Sequence, residues 1–308
     1  MARRKHTETA CVCVIYVCGA AGVACLRWHF PAGMTGAGLA DGTATRQDNN
    51  DVEMNSDSLS RVRMLLGGDA VERISGARVI IFGVGGVGSW CAECLVRTGV
   101  AHLTVVDGDC VCASNINRQL MATTLTLGER KVDALRRRLL EISPAAEIEA
   151  CFGRFTSATA GSFRLGEYDC IVDAIDSLPD KMLLVEEACR TRAFFVSSMG
   201  AALKADPSRV QVAEFGKVHG CPLARALRHS FRKAGHWPER PFSCVFSDEL
   251  LRNEEQAEPR ANGSLMHVTA IFGLTLAGLV IRELACGLPF NGFGGGANGG
   301  GCRGKKDV

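Results

Sequence analysis

Residues 78–89 read RVIIFGVGGVGS, a short run rich in branched apolar side chains that leads directly into a glycine-rich turn. The run Arg78–Phe82 predicts a β-strand, and the pattern over residues 88–98 predicts a helix after the turn. In such a turn, backbone N–H groups at the helix N terminus can bind a phosphate. The glycines assigned to this role are Gly83, Gly85, Gly86 and Gly88.

The next apolar run, residues 103–106, predicts a second strand that ends at Asp107. Strand, turn, helix and strand make a βαβ unit, and an acid about 20 residues after the glycines can accept the ribose hydroxyls of a nucleotide. Alternatively, the glycines only allow a helix to pack closely on the strand. The position of Asp107 favours the nucleotide site.

The alternation of short β-branched runs with longer helical patterns continues to residue 283. It predicts an α/β fold with a doubly wound, mostly parallel sheet. Further strands are predicted at 148–152, 170–173, 194–198 and 210–214, and further helices at 128–142, 157–165 and 181–192. The last apolar stretch, 265–284, is long enough to raise the question of a membrane span, but His267 and Arg282 favour a buried helix that packs under the sheet.

Composition narrows the class of protein. The chain has 308 residues, a net charge of +2 and 15 cysteines. The charge is too small to indicate nucleic-acid binding by itself. The cysteines are odd in number and scattered, which favours reduced thiols facing the cytosol over a disulfide framework. One Cys-x-x-Cys pair, Cys91 and Cys94, has no second pair to complete a zinc site.

The segment after the second strand predicts chemistry at a phosphate. Residues 107–119 read DGDCVCASNINRQ, and GERK follows at 128–131. A hydride-transfer enzyme does not need such a segment, whereas attack on the α-phosphate of ATP gathers negative charge that cations and a metal ion can stabilise. Arg118 and Lys131 supply the cations. Asp176, in the later sequence DAIDS, is the candidate magnesium ligand.

Together the motifs GxGGxGS, DxDxVxxSNxNRQ, GxxK and DAID resemble the ThiF/MoeB/HesA superfamily of ubiquitin-activating-type adenylating enzymes. The resemblance implies a Rossmann-like fold, ATP and Mg²⁺ as cofactors, and a homodimer in which Arg118 often reaches the site across the interface. The other implied nucleotide contacts are Gly85 and Asp107 on the ribose side, Ser114, Asn115 and Lys131 at the phosphates, and Asp176 at the metal. Asp109 is a further candidate contact with the nucleotide.

The second half of the chain is similar to the family of tRNA threonylcarbamoyladenosine dehydratases. The similarity rests on the sequences ADPSRVQV, PLA and CVFSDE, and it extends over about residues 66–284. It implies that ATP activates a carboxylate on a tRNA adenosine, which then cyclises as AMP leaves. The alternatives are an adenylyltransferase for a sulfur carrier or ubiquitin-like protein, a non-catalytic scaffold, and a nicotinamide dehydrogenase.

Local charge points to tRNA as the partner. Eight Lys or Arg residues lie between Lys204 and Arg240, against three acids. On the predicted helix here, Arg225, Arg228 and Arg232 are spaced to share one face, and they are the candidate tRNA contacts. A solvated basic face is the alternative. Cys244 is a possible substrate contact, although a cysteine beside Val245 and Phe246 is more often a core residue.

The sequence divides into five segments. Residues 1–30 contain Arg3, Arg4 and Lys5 followed by an uncharged run, and they are a membrane anchor, a cleaved targeting segment or a mispredicted gene start. Residues 31–58 are a linker, 59–200 an ATP-binding adenylation domain, 201–286 a substrate-binding and tRNA-binding part of the same fold, and 287–308 a glycine-rich tail. We expect a cytosol-facing protein, either anchored to a membrane such as the mitochondrial outer membrane or free in the cytoplasm.

Overall fold

The computed structural model describes residues 58–254 and 262–286. The helices are α1 (Ser60–Leu66), α2 (Gly68–Gly76), α3 (Gly88–Arg97), α4 (Lys131–Ile142), α5 (Leu178–Cys189), α6 (Pro222–Ala234) and α7 (Met266–Cys286). The strands are β1 (Arg78–Phe82), β2 (His102–Asp107), β3 (Glu147–Phe152), β4 (Cys170–Asp173), β5 (Phe194–Ser198), β6 (Val210–Glu214) and β7 (Ser243–Ser247).

The strands form one seven-stranded sheet in the order β3-β2-β1-β4-β5-β7-β6. All neighbours are parallel except β6 and β7, which pair antiparallel. The predicted α/β fold with a doubly wound, mostly parallel sheet is therefore confirmed. The chain runs outward from β1 in both directions, so the carboxyl ends of β1 and β4 border the crevice where such sheets bind ligands.

Helices cover both faces of the sheet, because alternate strand residues point to opposite sides. On one face, Val79 and Ile81 of β1 pack with α2, α3, α4 and α7. On the other face, Ile80 and Phe82 pack with α5 and α6. Within the described residues, only α7 is long and apolar enough to cross a membrane, and half of its most apolar stretch is buried. It contacts α3, α2 and β5, as expected for a core helix.

Two predicted helices need correction. The helix predicted at 128–142 begins only at Lys131, because Gly128 has φ of 82° and the residues before Lys131 pair with the chain after β2. The helix predicted at 157–165 is replaced by two short 3-10 helices, Ala160–Phe163 and Leu165–Glu167. Here the Thr159 hydroxyl donates to the Arg154 carbonyl at 2.6 Å and accepts from the Thr156 amide at 2.9 Å. Such local side-chain bonds compete with helix formation.

The anchor or targeting segment, nearly all of the linker and the glycine-rich tail lie outside the described residues. The predictions for them stay predictions.

Candidate active site

The glycine turn joins β1 to α3 through contacts that exclude larger side chains. A Cβ atom on Gly83, whose φ is 84°, would lie 2.6 Å from the Ala174 carbonyl oxygen. A Cβ atom on Gly88 would lie 1.9 Å from the Gly83 carbonyl oxygen. Gly85 is less crowded, since the nearest atom to its would-be Cβ is the Gln119 Nε2 atom at a van der Waals distance of 3.7 Å. The turn thus presents bare backbone at the positive end of the α3 dipole, a setting suited to a phosphate.

A cavity of about 540 Å³ lies above this turn, at the carboxyl edge of the sheet. One wall is apolar and includes Phe82, Val106, Phe155 and Ile175. Phe82 and Phe155 are buried, and their ring centroids lie 5.0 Å apart in an edge-to-face arrangement. This wall is suited to an aromatic base, while the glycine turn is suited to the phosphates attached to it.

Asp107 ends β2 and links the second strand to the turn. Its Oδ2 accepts a hydrogen bond from the Val84 amide at 2.9 Å, and its Oδ1 accepts one from the Asp109 amide at 2.9 Å. Its side chain keeps about 10% exposure and lines the cavity. The carboxylate therefore holds the turn in place and still has lone pairs that can accept a sugar hydroxyl.

Asp109 is the anionic centre of a three-residue cluster at the cavity. The Lys131 ammonium lies 2.9 Å from Asp109 Oδ2, and the Arg154 guanidinium lies 3.2 Å from Asp109 Oδ1. The hydrogen bond from Lys131, with a smaller contribution from Arg154, lowers the pKa of the Asp109 carboxyl from its ordinary value. Lys131 is buried at the start of α4, so its charge is poorly solvated and can act strongly on a nearby phosphate.

Arg118 lines the cavity of its own chain, beside the glycine turn. Its guanidinium donates to the Ser114 carbonyl and to Asn117 Oδ1, both at 2.8 Å, and its Cγ lies 3.2 Å from a would-be Cβ on Gly86. The Trp90 indole donates to the Arg118 carbonyl at 3.0 Å, which fixes the backbone at this point.

Asp176 lies on a loop that a buried ion pair holds in place. Lys181 and Asp173 are fully buried, and the Lys181 ammonium donates to Asp173 Oδ2 at 2.7 Å and to the Ile175 carbonyl at 2.8 Å. The Ser197 hydroxyl donates to the same Asp173 oxygen at 2.6 Å. Because these bonds fix the loop, the exposed Asp176 side chain has a defined place at the cavity.

The donor set at this loop fits a magnesium ion that is bound together with a nucleotide. Within the described part of the chain, no group of three or more His, Cys, Asp or Glu side chains could hold a metal on its own. Asp176 and Asp180 both line the cavity. Magnesium in nucleotide sites commonly takes one or two carboxylates and completes its shell with phosphate oxygens and water.

Comparison with known proteins agrees with this geometry. A model of the ThiF family matches residues 59–289. The chain belongs to the ThiF family. It is 34% identical over 242 residues to a protein of Bacillus subtilis (strain 168) named tRNA threonylcarbamoyladenosine dehydratase, covering 73% of this chain and 93% of that one. A protein of the same name from Escherichia coli (strain K12) is 30% identical, over 67% of this chain and 77% of its own length.

Solved structures show the same ThiF-type fold. The E. coli tRNA N6-threonylcarbamoyladenosine dehydratase TcdA in complex with ATP has a TM-score of 0.68 and 28% identity, covering 74% of this chain and 94% of that chain. A sulfur carrier protein adenylyltransferase of Thermus thermophilus is 37% identical, but over only 40% of this chain and 45% of its own length. The resemblance inferred from the sequence motifs is therefore confirmed.

In this ThiF-family chain, the cavity collects most of the predicted site residues. Those that line it are Gly83, Gly85, Gly86, Asp107, Asp109, Arg118, Lys131 and Asp176. Those that lie outside its lining are Gly88, Ser114, Asn115, Arg225, Arg228, Arg232 and Cys244. Gly88 acts in helix packing, as described above. Ser114 and Asn115 form a 3-10 helix in which Asn115 Oδ1 accepts from the Cys112 amide at 3.1 Å.

The predicted basic face of α6 is smaller than the sequence indicates. Arg228 is half-buried, donates to the Phe215 carbonyl at 3.2 Å and lies over the Phe215 ring. Arg225, Arg232 and Lys233 are exposed. Cys244 is buried in β7, and burial raises the pKa of its thiol well above the ordinary value. Cys244 is therefore a core residue, as the alternative expected.

Several polar residues of the cavity were not predicted from the sequence, among them Gln119, Arg154 and Asp180. Gln119 is buried, and its Oε1 atom has no hydrogen-bond partner within the described part of the chain. Its only sequence signal is its place next to Arg118. Arg154 follows β3 and meets Asp109 only because β2 and β3 are neighbours in register.

Proposed function

We propose that this chain is an ATP-dependent tRNA threonylcarbamoyladenosine dehydratase. The proposal rests on one observation: a single cavity combines a glycine turn and an apolar base wall with Arg118, Lys131 and an exposed carboxylate, Asp176. Relatives that this chain covers almost end to end carry the same function in their names.

In the proposed reaction, the threonylcarbamoyl carboxylate of a tRNA adenosine attacks the α-phosphate of ATP. A carboxylate oxygen forms the new bond to phosphorus, and pyrophosphate leaves. Arg118 lies beside the glycine turn and Lys131 lines the same cavity, so they can stabilise the negative charge that develops on the phosphates. Moving Lys131 from Asp109 to a phosphate oxygen would keep its charge paired throughout the step, while Arg154 stays with Asp109.

The second step needs no protein nucleophile. An atom of the same carbamoyl group attacks the activated carboxyl carbon, the ring closes, and AMP leaves with the oxygen that the carboxylate supplied. The residues that line the described cavity include no cysteine, which agrees with an intramolecular closure. Magnesium held by Asp176, with Asp180 beside it, would neutralise phosphate charge and favour departure of pyrophosphate.

The tRNA would approach along α6. This helix begins at the cavity, where Leu223 forms part of the wall, and carries the exposed Arg225, Arg232 and Lys233 along its surface. An exposed basic helix beside an adenylation site is suited to the phosphates of a tRNA loop. We also propose a homodimer, as the family resemblance implies, and a location that faces the cytosol, where ATP and tRNA are available.

The direct test is the reaction itself. Purified chain, ATP, magnesium and tRNA that carries threonylcarbamoyladenosine should release pyrophosphate and AMP, and nucleoside mass spectrometry should show the modified adenosine lighter by one water. An Arg118→Ala protein is the matched inactive control. Release of pyrophosphate only with a small carrier protein ending in Gly-Gly would support the sulfur-carrier alternative. Equal thermal stabilisation by NAD and by ATP with magnesium would contradict the adenylation site.

A double substitution tests the tRNA surface separately from the ATP site. Arg225→Ala with Arg232→Ala should raise the KM for tRNA several-fold and leave the thermal stabilisation by ATP unchanged, because both side chains are exposed and lie outside the cavity lining. Arg192→Ala, an exposed arginine just before β5, is the matched control and should change neither quantity. An unchanged KM in the double variant would contradict the α6 surface.

A further inference from the structure

Two neighbouring cysteines, Cys110 and Cys112, are more exposed than most of the cysteines that the structure describes. Of the ten cysteines in the described ranges, only Cys110, Cys112 and Cys286 are exposed. The pair Cys91 and Cys94 lies on α3 with Cys91 fully buried, and burial raises the pKa of both thiols. Cys110 and Cys112 are therefore the neighbouring thiols that a dissolved oxidant can reach.

The segment that carries these thiols holds two cavity-lining residues, Asp109 and Lys131, in position. It lies between β2 and the 3-10 helix Ala113–Asn115 and pairs antiparallel with the chain just before α4. The Val111 amide donates to the Glu129 carbonyl at 2.8 Å, and the Lys131 amide donates to the Asp109 carbonyl at 3.0 Å. The Gly128 amide donates to the Val111 carbonyl at 2.9 Å. These bonds place Lys131 and Asp109 side by side.

The two thiols have the spacing of residues on one side of an extended segment. Cys110 forms a β-bridge with Arg130, and Cys112 has extended backbone angles of −114° and 158°. The Cys112 thiol lies 3.7 Å from the Cys110 carbonyl oxygen. In an extended chain, Cα atoms two residues apart are separated by about 6.6–6.8 Å. In disulfides the two Cα atoms are usually about 4.4–6.8 Å apart and most often about 5.5–6 Å, so the extended spacing lies at the upper limit of the range. A disulfide of the commonest geometry between these sulfurs would pull the backbone together at Val111.

This shortening of the backbone would displace Val111, the buried residue between the two cysteines. The Val111 side chain is buried against the core, and its amide and carbonyl form two of the three bonds to the chain before α4. Bending at Val111 would break those bonds and release the contact between Asp109 and Lys131.

We propose that Cys110 and Cys112 form a redox-modification site whose oxidation to a disulfide weakens nucleotide binding in the adjacent cavity. The oxidant is a low-molecular-weight disulfide of the glutathione class. One cysteine thiolate attacks it, forms a mixed disulfide and displaces one small thiol. The second cysteine thiolate attacks the mixed disulfide and displaces the second small thiol. The two protons released by the cysteines end on the two small thiols, so the cysteines lose two electrons and the oxidant gains them.

Two measurements on the full chain test the site itself. After treatment with glutathione disulfide, peptide mapping should find the peptide with both cysteines lighter by two hydrogen atoms. Hydrogen exchange should become faster at the amides of Gly128, Val111 and Lys131. A disulfide that joins either cysteine elsewhere, or unchanged exchange at these amides once the expected disulfide has formed, would overturn the proposal.

A third measurement tests the effect on ATP and rests on the proposed function. The oxidised chain should bind ATP at least about tenfold more weakly than the reduced chain. Cys110→Ser should bind ATP like the reduced wild type under both conditions, whereas Cys286→Ser, the exposed-thiol control, should stay sensitive. Equal affinity of the oxidised and reduced wild type would overturn the proposal. If the reduced chain binds no ATP, the proposed function fails, while the mapping and exchange results still decide whether the thiol site exists.

Discussion

Gln119 has a buried side-chain atom that lacks a hydrogen-bond partner within the part of the chain that the structure describes. Its side chain is buried at the cavity, and its Oε1 atom is one of two buried side-chain atoms without a hydrogen-bond partner in the described ranges. A buried polar atom without a partner costs about 1–3 kcal/mol. A nucleotide or substrate group that donates to Oε1 would recover that cost. We therefore expect Gln119 to reduce the stability of the free protein and to contribute to binding.

Gln119→Met tests this trade-off at one side chain. The apolar chain has a similar volume, so the free energy of unfolding of the ligand-free protein should rise by about 1 kcal/mol, whereas the stabilisation by ATP should fall. Thermal melts with and without ATP and magnesium measure both quantities. Gln211→Met, at an exposed glutamine of β6, is the matched control and should change neither. A Gln119 variant that loses stability in both states would contradict a ligand-binding role.

The sequence could predict some site residues and not others, for a physical reason. Arg118 and Lys131 lie within short motifs whose spacing reflects a local turn. The residues next to them in the sequence are therefore enough to predict them as site residues. Gln119 and Arg154 depend on contacts between distant segments. Arg154 and Asp109 are 45 residues apart in the sequence, and no local sequence pattern indicates that their side chains are in contact.

At the scale of elements, the sequence predicts strands better than helices. The bounds of β1, β4 and β5 agree with prediction, because buried parallel strands are uninterrupted apolar runs that end at polar or glycine residues. The bounds of the antiparallel edge strand β6 agree as well. The helix predicted at 157–165 is wrong, since side-chain hydrogen bonds of Thr156 and Thr159 and the left-handed backbone of Arg164, φ 45°, determine the local path. Hydrophobic spacing does not contain that information.

Because α7 packs closely on α3, we expect substitutions at two glycines of α7 to have opposite effects on stability. A Cβ atom on Gly273 would lie 2.3 Å from the Val87 carbonyl oxygen and 3.0 Å from the Cys91 amide nitrogen. Gly278 has no atom within 4 Å of such a Cβ. Gly273→Ala should therefore destabilise the protein by about 1–3 kcal/mol. Gly278→Ala should stabilise it by about 1 kcal/mol, because alanine favours a helix.

Chemical denaturation of both variants measures this difference. Since Val87 belongs to the glycine turn, Gly273→Ala should also weaken stabilisation by ATP, and Gly278→Ala should not. Equal changes in the two variants would contradict the close contact between α7 and α3.

A histidine after α6 predicts a pH-dependent contact between elements. His236 follows the αL cap Gly235 and bonds to the Glu186 carboxylate on α5. That bond, with a smaller contribution from the Ala234 carbonyl, raises the pKa of His236 above its ordinary value of 6.5. The protonated form is therefore favoured in the folded state. Its contribution to stability is complete below pH 6.5 and is lost as the pH rises through the raised pKa.

The measurement is the melting temperature of the wild type minus that of His236→Gln, from about pH 5.5 to about pH 8.5. The difference should be positive at the acid end and should shrink towards the basic end. Glu186→Gln should remove the same dependence, because it removes the charged partner. A difference that grows with pH would contradict the contact.

At the scale of the whole molecule, the boundary predicted near residue 200 does not divide the sheet. Strand β7, from the second half, pairs with β5 from the first half, and the cavity is lined both by Asp107 and by Leu223. The part predicted to bind substrate thus completes the nucleotide cavity. The sequence predicts that residues 201–286 are part of the same fold. It does not predict which strand β7 pairs with, because a strand that returns to the sheet beyond a helix has the same local pattern as a strand in a new domain.

Each adenylation site can be built from the residues of one chain or of two. The family resemblance implies an arginine finger that often crosses a dimer interface, yet Arg118 and Asp176 line the same cavity of a single chain. We therefore expect Arg118→Ala and Asp176→Ala each to lose at least about 100-fold in the rate of adenylate formation. Both variants should keep their fold, because Asp176 is exposed and Arg118 is only half-buried.

If each cavity uses its own Arg118 and Asp176, mixing the two variants should restore nothing, because every site in a mixed dimer still lacks one group. If Arg118 acted on the partner, half of the sites in a mixed dimer would hold both groups, and activity would return towards half of the wild-type rate per mixed dimer. The variants should be unfolded and refolded together, with exchange of chains checked by mass labels. A wild-type chain mixed with the Asp176→Ala chain is the positive control. Recovery in the mixed variants would contradict a site made within one chain.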